Sequence, residues 1–525
     1  MARMGIDYGT TNTVVVSCDR GRYPVVPHVA ESSVGMLSRD VFPSLIVYDR
    51  AQGRCLYGTD AERALFLPDA SERYGVIRSL KSQLRHYMEG MRIGHDVVPG
   101  GLAVDDLLRG CLQALVQSIK KSGCFAAGAP LEALITWPNN ANGAQRYITR
   151  RCFKEAGFNV VGTLTEPAAA AIEFADRMAH GNRAEARRMA STVAVFDLGG
   201  GTFDVSLVRI EGPSYTVLDT AGIEQLGGDD FDEVLARLFA RRLRLDYDGL
   251  SSFHQALLLL QSRQLKESIS SGTVRSLTLS AEEVGLGSAV CTVAVSTYFK
   301  ELEPMLAPAI EKLQALVGGH AAHQAGVDAA SLTAIYLVGG TTKLPLVPSL
   351  IARQFPQVPL IMSDKPFTST AMGAAIRSAE DIRTQDILAR SFGVVRLMNH
   401  GAREFFAPIF PAGMNLPAAG QPPVRREIIY SPHHNIGHLR YLECAAVDRT
   451  GWPSEGVRWW SDVYFPYDPA LPVTAPCDRD SVLERDDLMG TTVRETYTCD
   501  EDGVITVTVT RFCDNQSRTF EIFRA

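Results

Sequence analysis

The chain has 525 residues, more than one hydrophobic core serves and enough for about three to five compact units. With 46% hydrophobic and 21% charged residues it has the composition of an ordinary soluble globular protein, which excludes a fibrous or wholly disordered chain. A formal charge of −7 with scattered basic residues gives a nucleic-acid backbone little to hold, and no stretch reaches the roughly 18 consecutive apolar residues of a membrane span.

The amino terminus, MARMGIDYGTTNTVVVSC, puts Gly5, Asp7 and Gly9 where a secretory signal needs an apolar core, so no signal peptide is expected. Ten cysteines are spread along the chain without a C-x-x-C pair, which argues against a zinc or redox motif. They read as reduced thiols, and a cytoplasmic location is expected.

From the start to about residue 380, short β-branched runs alternate with amphipathic stretches, the pattern of an α/β domain. Strands are expected over 13–17, 131–136, 192–196, 205–208 and 334–338, and helices over 105–121, 144–156, 229–245 and 296–317. After about residue 390 the texture changes to short alternating runs, at 427–430, 439–444, 493–497 and 504–510, between turns rich in Pro, Gly and Asp. The last residues, 518–525, read as one more strand. The expected domains are therefore 1–382, a linker at 383–390 that docks rather than flops, and an all-β domain at 391–525. No internal repeat stands out, apart from a weak echo of strand, Asp, Gly and Thr.

That echo carries the chemistry. It occurs first as Gly5-Ile6-Asp7-Tyr8-Gly9-Thr10-Thr11-Asn12 and again as Phe196-Asp197-Leu198-Gly199-Gly200-Gly201-Thr202-Phe203-Asp204. Both read as hairpins whose Gly/Thr turns aim backbone N–H groups and hydroxyls at an anion. An aspartate closing each leading strand suits an outer-shell holder of hydrated Mg²⁺. One such turn alone is better read as an ordinary tight hairpin; two matched turns are harder to dismiss. A third segment, Tyr336-Leu337-Val338-Gly339-Gly340-Thr341-Thr342-Lys343, is a strand entering a double glycine, where a nucleoside and its α-phosphate have room against bare backbone. It also fits a plain strand-to-helix turn.

In this order and spacing the three motifs resemble the ATPase domain of the seventy-kilodalton heat-shock chaperone family, within the actin and sugar-kinase superfamily. Further similar stretches are Ile135-Thr136-Trp137-Pro138, Thr165-Glu166-Pro167-Ala168 and Leu226-Gly227-Gly228-Asp229-Asp230-Phe231-Asp232, and the last third is similar to the family's β-sandwich peptide-binding domain. The resemblance implies an actin-like, ribonuclease-H-like duplicated nucleotide-binding domain of two lobes, followed by an all-β sandwich. It implies ATP/ADP and Mg²⁺ as ligands, with slow hydrolysis as a timer. Asp7 and Asp197 would hold the metal through water. Thr10, Thr11 and Thr202 would contact phosphates, beside Gly9, Asn12, Gly199, Gly200, Gly201 and Gly228. Lys81 would steady the γ-phosphate and attacking water, with Glu166 and Asp204 helping. Lys266, Ser270, Gly339, Gly340, Thr341 and Lys343 would face the adenosine. Pro138 and Arg146, with Glu166, resemble the switch between domains, and Phe392, Gly393 and Val394 align with a peptide-cleft strand.

The sequence departs from the family at the adenosine end. Arg263 stands where an acidic residue contacts ribose, Lys343 replaces an arginine that stacks on adenine, and Phe367 replaces an Asp. The linker Asp386-Ile387-Leu388-Ala389 keeps part of a leucine-rich segment, and no helical lid is expected after the β-domain. Trp452 to Pro469 is unusually aromatic and reads either as a packed loop, the favoured reading, or as a private binding surface. Three functions follow: a nucleotide-gated chaperone that binds unfolded or extended polypeptide, with co-chaperones; a switch or scaffold recruiting one dedicated protein partner; and a small-molecule kinase, which the all-β last third disfavours.

Overall fold

The first hairpin is built from β1 (Ala2–Tyr8) and β2 (Asn12–Ser17), whose valines 14–16 are all buried. On its other side β1 pairs in parallel with β3 (Leu131–Trp137), which pairs in parallel with β4 (Asn159–Thr165). The second hairpin, β5 (Ala190–Leu198) and β6 (Phe203–Glu211), continues antiparallel into β7 (Ser214–Ile223). On the far side of β5 lie β8 (Ala334–Val338) and β9 (Leu360–Met362), both parallel. The order β2-β1-β3-β4 in one sheet thus matches β6-β5-β8-β9 in the other. The weak sequence echo is a topological repeat.

This computed structural model describes residues 2–522 apart from 33–34, 68, 78, 180–181, 187, 399–402, 419 and 461. Arg78, beside Lys81, and residues 523–525 of the last expected strand lie outside the described residues. Two compact units emerge. The first holds Met1–Leu84, Gly90–Asn139 and Thr149–Ile382, and the second Arg85–Glu89, Asn140–Ile148 and Arg383–Ala525.

The helices of the first unit follow apolar periodicity. In α1 (Val104–Lys121), buried Leu107, Leu108, Cys111, Leu112, Leu115 and Ile119 recur every three to four residues, with Asp105 and Asp106 in the first turn and Lys120 and Lys121 in the last, matching the helix dipole. The others used below are α2 (Glu166–Met178), α3 (Gly228–Leu243), α4 (Ser252–Ser268), α5 (Val295–Val317) and α6 (Ser369–Ala379). The closest packing joins α2 and α6, where a Cβ on Gly373 would lie 1.8 Å from the Ala169 carbonyl oxygen. This crossing depends on small residues, and Ala168 to Ala171 are all buried.

In the second unit β10 (Ser391–Met398) lies between β11 (Arg403–Phe410) and β13 (Ile436–Cys444), and a second sheet orders β12 (Val424–Tyr430), β15 (Val493–Cys499), β16 (Ile505–Arg511) and β17 (Gln516–Glu521). The strand β14 (Val463–Pro466) also pairs with β13. Strand β15 alternates buried Val493, Glu495, Tyr497 and Cys499 with half-buried Arg494, Thr496 and Thr498. Its buried Glu495 takes hydrogen bonds from Arg396 Nη2 and Tyr430 Oη, each at 2.6 Å, and from Tyr497 Oη. A charged, phenol-rich cluster therefore sits inside the unit. Residues 385–388 pair with 413–416, where Leu388 N–H donates to Met414 O and Leu416 N–H to Asp386 O, each at 2.8 Å. Within the aromatic stretch, Trp460, Val463, Phe465 and Tyr467 are buried whereas Trp459 is exposed.

Candidate functional site

Both hairpins turn at one cleft of the first unit. A cavity of about 430 Å³ is lined by Asp7, Gly9, Thr10, Thr11 and Asn12 from the first turn and Asp197, Gly199, Gly200 and Thr202 from the second. The third motif adds Gly339, Gly340, Thr341 and Lys343, and Lys81, Glu166, Gly228, Lys266 and Ser270 complete the expected set. Gly201 and Asp204 are not on the lining. Gly201 packs on Thr10, where a Cβ would approach to 2.9 Å, and Asp204 stands behind Asp197 as its cross-strand neighbour.

Hydrogen bonds tie the turns together. Thr341 Oγ1 donates to Gly199 O at 2.8 Å, and the N–H groups of Gly228 and Asp229 donate to the carbonyls of Gly199 and Gly200 at 2.9 and 2.7 Å. The carbonyls of Gly199 and Gly200 are thus engaged, and among the described residues no backbone acceptor takes the amides of Gly200 and Gly201. Gly339, at φ +81, approaches so closely that a Cβ would lie 2.3 Å from Leu198 O and 2.6 Å from Asp197 Oδ1. Only glycine meets both demands.

The electrostatic centre is a set of carboxylates around one lysine. Lys81 leads from Ser79, itself held in the left-handed region at φ +51, and its Nζ lies 3.0 Å from Glu166 Oε1, the first residue of α2. Burial works to lower the Lys81 pKa, but the charges of Glu166, Asp7 and Asp197 outweigh it and leave the ammonium firmly protonated. Asp7 is pushed up to about 6 by burial and then by the Glu166 charge, against the pull of Lys81 and a 3.2 Å bond from Thr136 Oγ1. Burial, then the charges of Glu166, Asp204 and Asp7, raise Asp197 well above the carboxylate range. Such excess buried negative charge suits a hard divalent cation, and the bare turns suit phosphate oxygens, so the residues present fit a metal–nucleotide pair.

The opposite end of the cleft is built differently. Arg263 of α4 reaches α3, with Nη2 2.8 Å from Asp229 Oδ1 and Nε 3.0 Å from Asp232 Oδ2, while Lys266 Nζ lies 2.7 Å from Asp232 Oδ1. Lys343 Nζ stands 5.3 Å from the centre of the Phe367 ring. The three departures seen in the sequence therefore all face this cavity.

Sequence reasoning assigned no role to Thr136, which braces Asp7, or to Asp232, which anchors Lys266. Asp232 had a signal: it lies three residues after Asp229 on one helix face. Of the remaining candidates, Pro138 follows β3 in the first unit, and Arg146, in the second, donates from Nη1 to Asp502 O at 2.8 Å. Phe392 and Val394 are buried in β10, Phe392 stacking on Tyr441 with centroids 5.5 Å apart, and Gly393 abuts the Ala407 carbonyl of β11. Among the described residues no helix is long and apolar enough to cross a membrane.

Comparison with known proteins agrees with this arrangement. The family profile described as "Hsp70 protein" matches residues 113–397. A "Chaperone protein HscA homolog" from Burkholderia ambifaria is 30% identical over 413 residues, covering 74% of this chain and 62% of the relative. Its namesake from Pseudomonas putida is 29% identical over 390 residues, covering 71% and 57%. The chain thus spans about three-fifths of the length of these curated relatives. With more than half of its residues inside the family profile, the chain belongs to the Hsp70 protein family.

Proposed function

We propose that this chain is a nucleotide-gated chaperone that binds ATP or ADP with Mg²⁺, hydrolyses ATP slowly, and holds extended polypeptide on its β-rich part. The observation that carries the reading is the cleft where Asp7, Asp197 and Glu166 surround Lys81 beside three glycine turns. The matched strand orders support an actin-like, duplicated domain of two lobes over 1–382, joined through 383–390 to a sandwich over 391–525.

Hydrolysis at such a site is positioning and charge neutralisation rather than covalent work. Bound Mg²⁺ would supply positive charge against the phosphates. Asp7 and Asp197 are the residues to hold it through water, Asp204 supporting Asp197 from behind. Lys81, fixed by Glu166, places a cation at the carboxylate end of the cleft, where it orients the γ-phosphate and a water. Thr10, Thr11, Thr202 and the turn amides take phosphate oxygens, while Lys266, Ser270, Thr341 and Lys343 bound the nucleoside. Pro138 and Arg146 would relay nucleotide state, and Phe392, Gly393 and Val394 would support a peptide surface from within their sheet.

A second reading, a nucleotide switch or scaffold for one dedicated partner, is favoured by Arg263, Lys343 and Phe367 at the nucleoside end. Calorimetric titration with Mg·ATP, followed by single-turnover hydrolysis, tests the main reading on the native chain, Lys81→Ala and Asp197→Ala. Tight binding with slow turnover, lost in Lys81→Ala, supports the chaperone timer. Absence of binding at millimolar ATP removes the catalytic assignments and leaves the scaffold.

A further inference from the structure

Thr11 is expected to give its hydroxyl to a phosphate, yet here it gives it elsewhere. Its Oγ1 donates to Asp229 Oδ1 at 2.9 Å, linking the first turn to the start of α3 on the lining of the cleft. The same Oδ1 accepts from Arg263 Nη2 at 2.8 Å, and Arg263 Nε is held by Asp232 at 3.0 Å. Asp232 is itself fixed by Lys266, whose Nζ also donates to Gly228 O at 2.7 Å. Asp229 is therefore aimed at Thr11 by a guanidinium anchored on two carboxylates of one helix, a geometry that a planar fork supplies and an ammonium does not. The two turns meet closely at this point, since a Cβ on Gly200 would lie 2.1 Å from Thr11 Oγ1.

We infer that Arg263 is a positioning residue that clasps the first turn to α3 through Asp229, so that a phosphate must break the Thr11–Asp229 bond to take the Thr11 hydroxyl. The inference rests on the reading that the cleft takes a nucleotide. The clasp competes with phosphate for the Thr11 hydroxyl and lowers the apparent affinity by the fraction of molecules in which it is made. An acidic residue at position 263 would repel Asp229 and leave Thr11 free.

The test compares Arg263→Gln, Asp229→Ala and the double variant with the native chain, by calorimetry with Mg·ATP and by hydrogen exchange without ligand. A simple charge effect moves the single variants in opposite directions, because one loses a positive and the other a negative charge. The clasp moves both the same way, each tightening ATP about tenfold, an ordinary coupling strength, with no further gain in the double variant. Amides 9–12 should exchange faster in both. The near-isosteric Thr11→Val, which leaves the ion pairs intact, should reproduce the faster exchange and guards against a misfolded Arg263 variant. Opposite changes in affinity, or unchanged exchange at 9–12, overturn the clasp. If no variant binds ATP the nucleotide reading fails, and the exchange data alone decide whether the clasp exists.

Discussion

Lys81 Nζ and Glu166 Oε1 lie 3.0 Å apart and join a short helix, Leu80–Gln83, to the first residue of α2. Lys81 also balances Asp7 and Asp197. Replacing it by alanine removes a cation that lowers the pKa of both. Single-turnover hydrolysis in Lys81→Ala should fall by about 100-fold or more, the effect of losing one preorganised electrostatic group. Without metal the variant should be less stable by about 3 kcal/mol, the lower end of the cost of an uncompensated buried charge. Millimolar Mg²⁺ should return much of that loss, which thermal denaturation in EDTA and in Mg²⁺ measures.

Gly339 and Gly340 are neighbours with opposite tolerance. A Cβ at 339 meets Leu198 O and Asp197 Oδ1 at a positive φ, whereas at 340 its nearest neighbour is Phe367 Cβ at 3.9 Å. Gly339→Ala should destabilise the first unit by about 3 kcal/mol through strain and overlap, and Gly340→Ala by less than about 1 kcal/mol. Chemical denaturation of the two variants side by side checks the contrast.

His28 gives the stability a pH signature. Its ring is fully buried, with Nδ1 2.9 Å from Ser118 Oγ, and burial lowers its pKa to about 4. The unfolded chain, with an ordinary value of about 6.5, takes up the proton first as pH falls. The neutral ring's contribution is therefore complete above about pH 6.5 and is lost between there and about pH 4, a change of about 3 kcal/mol at about 1.4 kcal/mol per pH unit. His28→Gln should flatten that part of the native stability–pH curve.

In the second unit, Glu495→Met leaves Arg396 facing an interior without its carboxylate and should cost about 3–5 kcal/mol. A double replacement of Glu495 and Arg396 by methionine should cost much less than the sum of the singles, because neither charge is then stranded. Denaturation of the four proteins gives the coupling directly.

The two hairpins were legible because their information is local: a strand, an Asp and a Gly/Thr turn within about ten residues. The same holds for α1, whose apolar spacing and terminal charges fix it without help from the rest of the chain. The topological repeat was not legible, since it lies in which strands pair rather than in which residues they carry. Nor was the link from Thr11 through Asp229 to Arg263, which joins positions 218 and 34 residues apart. Glu495 misleads a reader of sequence in a different way. Alternation in β15 gives it the inward register, but a carboxylate ordinarily marks the outward one, and only Arg396 and the tyrosines around it explain the reversal. The assignment of 140–148 to the second unit likewise depends on contacts such as Arg146 with Asp502 that no local pattern announces.

The buried Glu495 also proofreads assembly of its own sheet. Slipping β15 by one residue would turn Glu495 and Tyr497 outward and bring Arg494, Thr496 and Thr498 inward, because side chains alternate with a period of two. An all-apolar interior would object only weakly to such a slip. Here a slip in one direction would put Arg494 in the place of Glu495 and set it against Arg396, a like-charge penalty, and a slip in the other would put Thr496 there and leave Arg396 without its carboxylate.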